Sequence, residues 1–362
     1  MNEMSARPSH PTYGPIPGYH SQTAYSFPPE DSDAILRATA YHRKDFDLSV
    51  IWFPTRTHND FTTLISPTSR SQATTLGEID RLPLELIHNI LLQLDVTTTF
   101  CMRQTNVRAR QIVNGLHEFR VITTHATNPL CALLRTQLAS NVTLLAFYRL
   151  LCTQKCPICA NSHGNLVYMP TWIRCCSYCL QEYAPELWTR TATVLEQILQ
   201  LSKESRRKLP RLRTLPGIYG MDEQPRFALM IVASAQAALS ACREETAGPE
   251  PPSTIVAGRI KRLNLPYMAC CAVPSYNPRT GQTEDGISCA GCQLAIEKGI
   301  TTHTGEWAAD IRDKVYSRKG FLEHFVWCEQ AQLLWRDSNR GTTQPPMYPY
   351  FCTKGGYFRP RD

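Results

Sequence analysis

The residues best suited to chemistry in this chain are cysteines that recur in closely spaced pairs. Two Cys-x2-Cys motifs, separated by 16 residues, supply Cys156, Cys159, Cys176 and Cys179. This spacing is typical of a structural zinc site. A two-residue gap forms a tight knuckle that points both sulfurs at one centre, so two knuckles supply four thiolates in a tetrahedron. Because four cysteine ligands leave no position for water, the sequence predicts a structural zinc ion here and not a catalytic one.

Two neighbouring cysteines compete for a place in this first site. Cys152 precedes Cys156 by four residues, and Cys175 is adjacent to Cys176. On an extended knuckle Cys175 is expected to point away from Cys176. The alternative to zinc is that some of these residues are buried free thiols, which pack as small hydrophobic side chains.

A second candidate site is divided between two distant pairs. Cys289 and Cys292 form a Cys-Ala-Gly-Cys knuckle, in which the glycine is expected to relax the turn. His324 and Cys328 are four residues apart, which places both on one face of a helix. Together they form a closed set of three cysteines and one histidine, across a gap of 31 residues. The residues alone leave open a helix that carries a satisfied histidine and a buried cysteine.

Cys270 and Cys271 are the alternative ligands for this second site. They precede a predicted hairpin in which residues 267–274 return through Gly286 to Cys289. They would replace His324 or Cys328 as ligands if either of these lies elsewhere.

The composition favours metal over disulfides. The chain has 15 cysteines, no signal-peptide-like apolar region at its N-terminus and no apolar run of 18 residues. We therefore expect a protein that is neither secreted nor membrane-spanning, located in the cytoplasm, the nucleus or both. In such a reducing compartment, paired cysteine motifs indicate metal more often than disulfides. The expected cofactor is structural zinc, with two ions.

Mainly helical elements are predicted to position these cysteines. Helices are predicted at residues 127–140, 141–152 (with Asn141 as the N-cap), 191–201 and, as a buried helix, 226–245. A short strand at 166–169 separates the two knuckles of the first site. Residues 1–76 contain eight prolines and many Ser and Thr residues, which predicts a mostly disordered tail with a docked strand near residues 48–54.

Residues 79–113 are predicted to form three short helices that have more apolar surface than they can bury alone. The first helix starts after Leu82, with Pro83 at or near the first helical position, where its missing N–H costs nothing. Its apolar stripe covers an arc of about 160°. The stripe consists of Leu84, Leu86, Ile87, Ile90, Leu91 and Leu94. One edge can pack on the other two helices, which leaves the other for a partner or for the rest of the chain.

Three features of this stretch resemble an F-box, and the match is close to the F-box of a large group of fungal proteins. They are Leu-Pro-Leu-Glu-Leu-Ile at 82–87, the break at Asp95, and Gln-Thr-Asn-Val-Arg-Ala-Arg-Gln at 104–111. The resemblance implies docking on a Skp-type adaptor of a cullin–RING ubiquitin ligase. It also implies the adaptor-facing residues, namely Leu82, Pro83, Leu86, Ile87, Ile90 and Leu94.

The fungal resemblance extends to the second metal site. It covers Gly-Ile-Ser-Cys-Ala-Gly-Cys at 286–292 and Phe-Leu-Glu-His-Phe-x-x-Cys at 321–328. It therefore favours ligation by His324 and Cys328 over the bland interpretation of a packed helix.

The sequence offers little support for other functions. It has no P-loop, Rossmann glycine pattern, nucleophile elbow or His-Glu-x-x-His motif, so we do not expect an enzyme. The alternative is a zinc-containing nucleic-acid-binding or scaffold protein that uses the basic run at 203–213. That run lacks interleaved aromatic residues for base stacking, so nucleic acid is the weaker hypothesis. Tandem repeats, through which many F-box proteins recruit targets, are also missing.

The sequence thus predicts an α+β, mainly α, protein in which an F-box precedes a helical body with small zinc-bound β knuckles and hairpins. The predicted regions are a tail (1–76), the F-box (77–121), a zinc-knuckle body (122–245), a loop or hinge (246–256) and a second zinc-hairpin region (257–362). The predicted function is a non-catalytic substrate receptor of a Skp–cullin–F-box ubiquitin ligase, which holds an unknown protein target through its body.

Overall fold

The computed structural model describes residues 16–65, 75–160, 162–181, 189–199, 211–220, 222–231, 265–301 and 307–356, together with positions 184 and 187. The fold of these residues is α+β and mainly α. Within these ranges, none of the helices combines the length and the apolar character that crossing a membrane would require.

The N-terminal region differs from the predicted disordered tail. Its helices are α1 (Ser32–Thr39), α2 (Lys44–Leu48) and α3 (Thr55–Ile65), and strand β1 (Ala40–Tyr41) pairs with β12 (Ser288–Cys289). Ile35 is fully buried. The expected docked strand is a single parallel bridge from Ile51 to Cys271. Composition suggested disorder because the surfaces that cover these apolar residues lie more than 200 positions along the chain. Residues 1–15 and 66–74 lie outside the described residues.

Three helices form residues 84–115, as the apolar periodicity predicted. They are α4 (Leu84–Gln93), α5 (Val96–Thr105) and α6 (Val107–Gly115). The Asp95 carboxylate caps α5 by accepting from the Thr98 N–H at 2.8 Å, and the Asn106 carbonyl caps α6 by accepting from the Ala109 N–H at 2.8 Å. Such caps satisfy amides that have no partner within the helix, so the two breaks between the helices are set locally by sequence.

Three further helices continue directly from this unit, namely α7 (His117–His125), α8 (Thr127–Thr136) and α9 (Leu144–Leu151). The cap of α9 is Thr143, whose hydroxyl accepts from the Ala146 N–H at 3.1 Å; the prediction that Asn141 caps this helix was wrong. Backbone hydrogen bonds join α4–α5 to this region, from Val96 N–H to the Val142 carbonyl and from Leu144 N–H to the Leu94 carbonyl, each at 2.9 Å. The first three helices are therefore fused to the body.

The body contains two small antiparallel sheets. The first has the order β3 (Ile173–Cys175), β2 (Leu166–Tyr168), β9 (Cys270–Ala272), with Leu166 opposite both Cys175 and Ala272. The predicted strand at 166–169 is thus its central strand. The second has the order β4 (Thr189–Thr191), β8 (Ala228–Ile231), β5 (Leu212–Arg213). A short hairpin joins β6 (Gly217–Tyr219) to β7 (Asp222–Gln224).

Strand β8 corrects the predicted buried helix at 226–245. Its residues Ala-Leu-Met-Ile form a short apolar run, whose period does not distinguish strand from helix. Pairing with β4 and β5 decides the matter. The rest of that predicted helix, the proposed hinge at 246–256 and residues 203–210 of the basic run lie outside the described residues. Arg211, at the end of the run, forms an ion pair with Glu196 of α11 (Ala192–Leu199) at 2.7 Å.

The C-terminal region is built from a hairpin and helices. The hairpin pairs β10 (Ser275–Tyr276) with β11 (Thr283–Glu284). The predicted hairpin from 267–274 to Cys289 does not form, because β9 and β12 pair with β2 and β1 instead. The helices are α12 (Ala290–Glu297), α13 (Trp307–Asp313), α14 (Arg318–Phe325), α15 (Glu329–Asp337) and α16 (Tyr350–Lys354).

The buried apolar residues form one large core and smaller ones. The large core runs without interruption from α4–α6 through α7–α9 to the first cysteine quartet and the sheet that contains β2. A second core surrounds the second quartet and includes Ile35, Phe321, Phe325 and Trp335. Because β9 belongs to the sheet of the first quartet, the boundary predicted between 122–245 and 257–362 does not separate two structural units.

Candidate metal centres and docking surface

The structure brings the four cysteines of the first predicted site together. Cys156, Cys159, Cys176 and Cys179 are all buried, and their sulfurs lie within 4.8 Å of one another. The first knuckle is a turn closed by the Ala160 N–H, which donates to the Cys156 carbonyl at 2.8 Å. The second knuckle runs into α10 (Ser177–Gln181) directly after β3. The β2–β3 hairpin reverses the chain, so the second knuckle returns to the first.

Side-chain hydrogen bonds fix this arrangement. The buried Asn165 carbonyl oxygen accepts from the Ser177 backbone N–H at 3.2 Å, and the Asn165 amide donates to the Ser177 hydroxyl at 2.9 Å. The Arg174 guanidinium donates to the carbonyls of Leu150, Gly164 and Pro274. Arg174 therefore ties the hairpin to α9 and to the segment before β10. The spacing of cysteines could not reveal either residue.

The second predicted quartet also comes together. Cys289, Cys292, His324 and Cys328 lie within the same 4.8 Å limit, and three of the four are fully covered. Cys289 is the N-cap residue of α12, and Cys328 is the N-cap residue of α15. Amide N–H groups at a helix N-terminus stabilise negative charge. Both positions therefore favour the thiolate form that a metal ligand requires.

Gly291 has a different role from the one that the sequence suggested. It lies within α12, and a Cβ atom there would approach the Ala331 backbone nitrogen at 2.3 Å. The glycine therefore allows close contact between α12 and α15, which carry the two halves of the quartet. Its contribution is this helix contact, and not a relaxed turn.

The separations between ligand atoms fit tetrahedral zinc. Zinc–sulfur bonds of about 2.3 Å at tetrahedral angles imply sulfur–sulfur separations of about 3.8 Å. The observed separations are 3.8 Å for Cys156–Cys179, 3.7 Å for Cys159–Cys176 and 3.8 Å for Cys289–Cys328. The Cys292 sulfur lies 3.3 Å from His324 Nε2. Both groups could therefore hold a metal ion and are compatible with zinc.

The electrostatics of both quartets also favour a bound cation. Burial lowers the pKa of His324 to about 3, so its imidazole is neutral and has a lone pair available for a metal. Burial raises the pKa of Cys292, and the hydrogen bond with Cys156, followed by that with Cys159, raises the pKa of Cys176. Crowded buried thiols ionise together only if a positive charge compensates them, and a divalent ion would supply that charge.

The four competing cysteines lie outside both groups in the part of the chain that the structure describes. Cys175 lies on β3 beside Cys270 of β9. The Cys271 sulfur accepts a hydrogen bond from the Asn128 amide at 3.0 Å. Cys152 is half-buried at the end of α9. The described cysteines are all free thiols.

A third feature is an exposed apolar surface on α4 and the segment before it, which we call the α4 surface. Its members are large aliphatic side chains that are 39% to 49% exposed. They are Ile79, Leu82, Leu84, Leu86 and Ile90. Pro83 is exposed beside them, and Leu94 is half-buried against the core. Salt bridges from Arg81 to Glu78 and from Arg108 to Asp80 border this surface.

The α4 surface corrects the predicted set in one position and extends it in two. Ile87 is only 3% exposed and packs in the large core with Leu91, so it does not face a partner. It lies at the centre of the apolar arc, on the edge that faces α6 and α9. Ile79 and Leu84 were not among the predicted contacts, although both are 45% exposed. Leu84 was visible in the apolar stripe; Ile79 precedes the helix, where periodicity gives no signal.

Comparison with known proteins identifies the region that carries the α4 surface. A family model for the F-box domain matches residues 79–120. The chain therefore contains an F-box domain, which comprises α4–α6, the turn before them and the start of α7. No curated protein and no solved structure gave a significant match to the chain.

The F-box domain defines a class of activity. F-box domains bind Skp-type adaptors within cullin ligases, and F-box proteins are generally non-catalytic subunits of these ubiquitin ligase complexes. The domain thus suggests a substrate-receptor role in a Skp–cullin–F-box ubiquitin ligase.

Proposed function

We propose that this protein is a substrate receptor that binds a Skp-type adaptor through the α4 surface and a protein target through its metal-stabilised body. The supporting observation is the α4 surface itself, since contiguous apolar patches on soluble proteins mark interaction sites. Its five aliphatic residues are exposed within a domain whose family binds such adaptors. On this proposal the chain acts by proximity, raising the concentration of its target at the ligase.

The proposal gives the two metal centres a mechanical role. With four protein ligands each, they leave no open position for a reacting water, and are structural. The large core joins the F-box helices to the first centre without a linker. Consequently, the body has a fixed orientation relative to the adaptor. Proximity is effective only if the geometry permits it, and this fusion supplies the geometry. The compartments proposed are the cytoplasm, the nucleus or both.

Adaptor binding can be tested by substituting Leu82→Ala together with Pro83→Ala in the full chain. Both residues are exposed, so the fold is expected to persist while co-purification with the adaptor is lost. The matched control is Val194→Ala, which removes an aliphatic residue that is 40% exposed on α11, away from the F-box. Binding that survives the double substitution at wild-type strength would overturn the docking assignment.

A further inference from the structure

The segment that precedes α1 lies over the second metal centre. We call residues 16–27 the N-terminal strap. The backbone of His20 forms an antiparallel bridge with the ligand Cys328. The Tyr19 carbonyl accepts from the Glu329 N–H at 2.9 Å, and the Ser21 N–H donates to the Trp327 carbonyl at 3.0 Å. The strap is therefore paired with the turn between α14 and α15, which presents the last two ligands of the centre.

One side chain of the strap reaches a ligand atom. The Tyr19 hydroxyl lies 3.2 Å from the Cys292 sulfur, and Tyr19 is only 4% exposed. Against a metal-bound thiolate the hydroxyl is the donor, because that sulfur carries no proton. A hydrogen bond to an ionised acceptor is about twice as strong as a neutral one. Groups that donate to or orient metal ligands commonly tune metal affinity by about 10–100-fold.

Further contacts connect the strap to the same two helices. The Gln330 amide donates to the Gly18 carbonyl at 2.6 Å, and the Ser21 hydroxyl donates to the Gln332 side-chain carbonyl at 2.7 Å. The rings of Tyr25 and Phe27 pack edge-on against Phe325, at centroid distances of 5.5 and 5.6 Å. Each of these partners lies within eight positions of His324 or Cys328. The surface that receives the strap is thus the metal-binding turn and the helix that follows it.

We propose that the second centre is a metal-dependent latch for the N-terminal strap, with Tyr19 as the outer-shell donor that couples the two. Metal holds α12 against the α14–α15 turn, and the strap binds the surface so formed. Removing the metal leaves three buried thiols and an imidazole without a common partner, which favours opening of the turn. Opening breaks the backbone pairing of the strap. By linkage, the docked strap slows metal loss.

Two measurements on the full chain test this inference. Hydrogen exchange is compared between zinc-loaded protein and the Cys289→Ser, Cys292→Ser variant, in which the first centre remains. We expect faster exchange at residues 16–27 in the variant, and no change in α7–α9. Zinc release to a chromogenic chelator is then compared between wild type and Tyr19→Phe. We expect the phase that belongs to the second centre to quicken about 10-fold or more, with the first centre unaffected.

Tyr25→Phe is the matched control for Tyr19→Phe. It also removes a strap hydroxyl, but Tyr25 contacts the body through its ring, so release from the second centre should keep its wild-type rate. Unchanged exchange of the strap after loss of the second ion would overturn the latch. Equal release rates for Tyr19→Phe and wild type would overturn the role of Tyr19. A content of one zinc ion in the wild type would overturn the second centre itself, and leaves adaptor docking untouched.

Discussion

The α4 surface and the metal centres are opposite solutions to the problem of carrying function on one core. The α4 surface consists of apolar side chains that the fold leaves exposed, whereas the centres consist of polar or ionisable groups that the fold buries. Each is unfavourable for an isolated chain: exposed aliphatics are solvated poorly and crowded thiolates repel. An external partner relieves each cost. Residues that contradict their own environment therefore point to what is missing from it.

The two kinds of region nevertheless share a scaffold. Ile87 and Leu91 anchor α4 in the same core that includes Cys156 and Cys179. An edge of the apolar arc is thus committed to the fold, and only the remaining edge is available to a partner. This division predicts that stability and adaptor binding respond to different residues of one helix, while the metal centres affect both.

The largest expected effect is loss of the first metal ion. Cys176→Ser should remove one zinc ion by elemental analysis and destabilise the chain by several kcal/mol, since structural zinc contributes about 10–16 kcal/mol in small zinc-finger peptides. Calorimetric unfolding would measure the change. Because the centre lies in the shared core, adaptor binding should weaken as well.

Cys175→Ala is the control for this substitution. Cys175 is the adjacent residue and equally buried, but belongs to neither quartet. It should retain two zinc ions and lose only the stability expected for trimming a small core side chain. If both variants keep two ions, Cys176 is not a ligand.

The second largest effect separates the two edges of α4. Leu91→Ala removes a fully buried side chain and should cost about 2–5 kcal/mol of unfolding free energy. Ile90→Ala, at the neighbouring exposed position, should change stability by about 0.5 kcal/mol or less. It should instead weaken adaptor binding by about 10-fold, as an interface residue that contributes more than 1 kcal/mol would.

Denaturant unfolding and calorimetric titration with the adaptor, applied to both variants, measure the two effects. The division of α4 into a core edge and a partner edge would be wrong if Ile90→Ala destabilised the fold as much as Leu91→Ala while leaving adaptor affinity intact.

Local signals explain which parts of the fold sequence could predict. The helices α4–α6 follow from apolar periodicity and from Asp95 and Asn106, which act within three residues of themselves. Both quartets follow from spacing and from a family resemblance. By contrast, the burial of Ile35 and the pairing of β1 with β12 depend on partners near the other end of the chain. Composition has no access to such contacts, so a proline-rich region was assigned to disorder.

The metal site shows the same limit at the level of single residues. Cysteine spacing names the ligands, but Tyr19 lies 273 positions from the sulfur that its hydroxyl contacts. Arg174 is similarly a charged residue whose partners are carbonyls, which any residue could supply. Ile87 was misassigned for a related reason: a wide apolar arc shows that two surfaces are covered, and not which residue faces which.

The smallest expected effect concerns the Asp95 cap, within the F-box but away from the α4 surface. Burial tends to raise the pKa of Asp95, but hydrogen bonds from the Thr98 hydroxyl and backbone outweigh it and lower this pKa below 3.8. The ionised carboxylate is thus favoured by folding. Its contribution is present above the unfolded pKa and disappears as pH falls through the lower folded value.

Asp95→Ala should cost about 1 kcal/mol at neutral pH, and less below pH 3. Asp95→Asn is the control, because asparagine caps about as well without a titrating charge. Denaturant unfolding between pH 7 and pH 3 would measure both. Adaptor affinity should stay at the wild-type value in each variant, since the cap orders α5 while the partner-facing residues lie on α4 and before it. A loss of binding without a loss of stability would show that α5 belongs to the docking surface, and would move the boundary between the two regions.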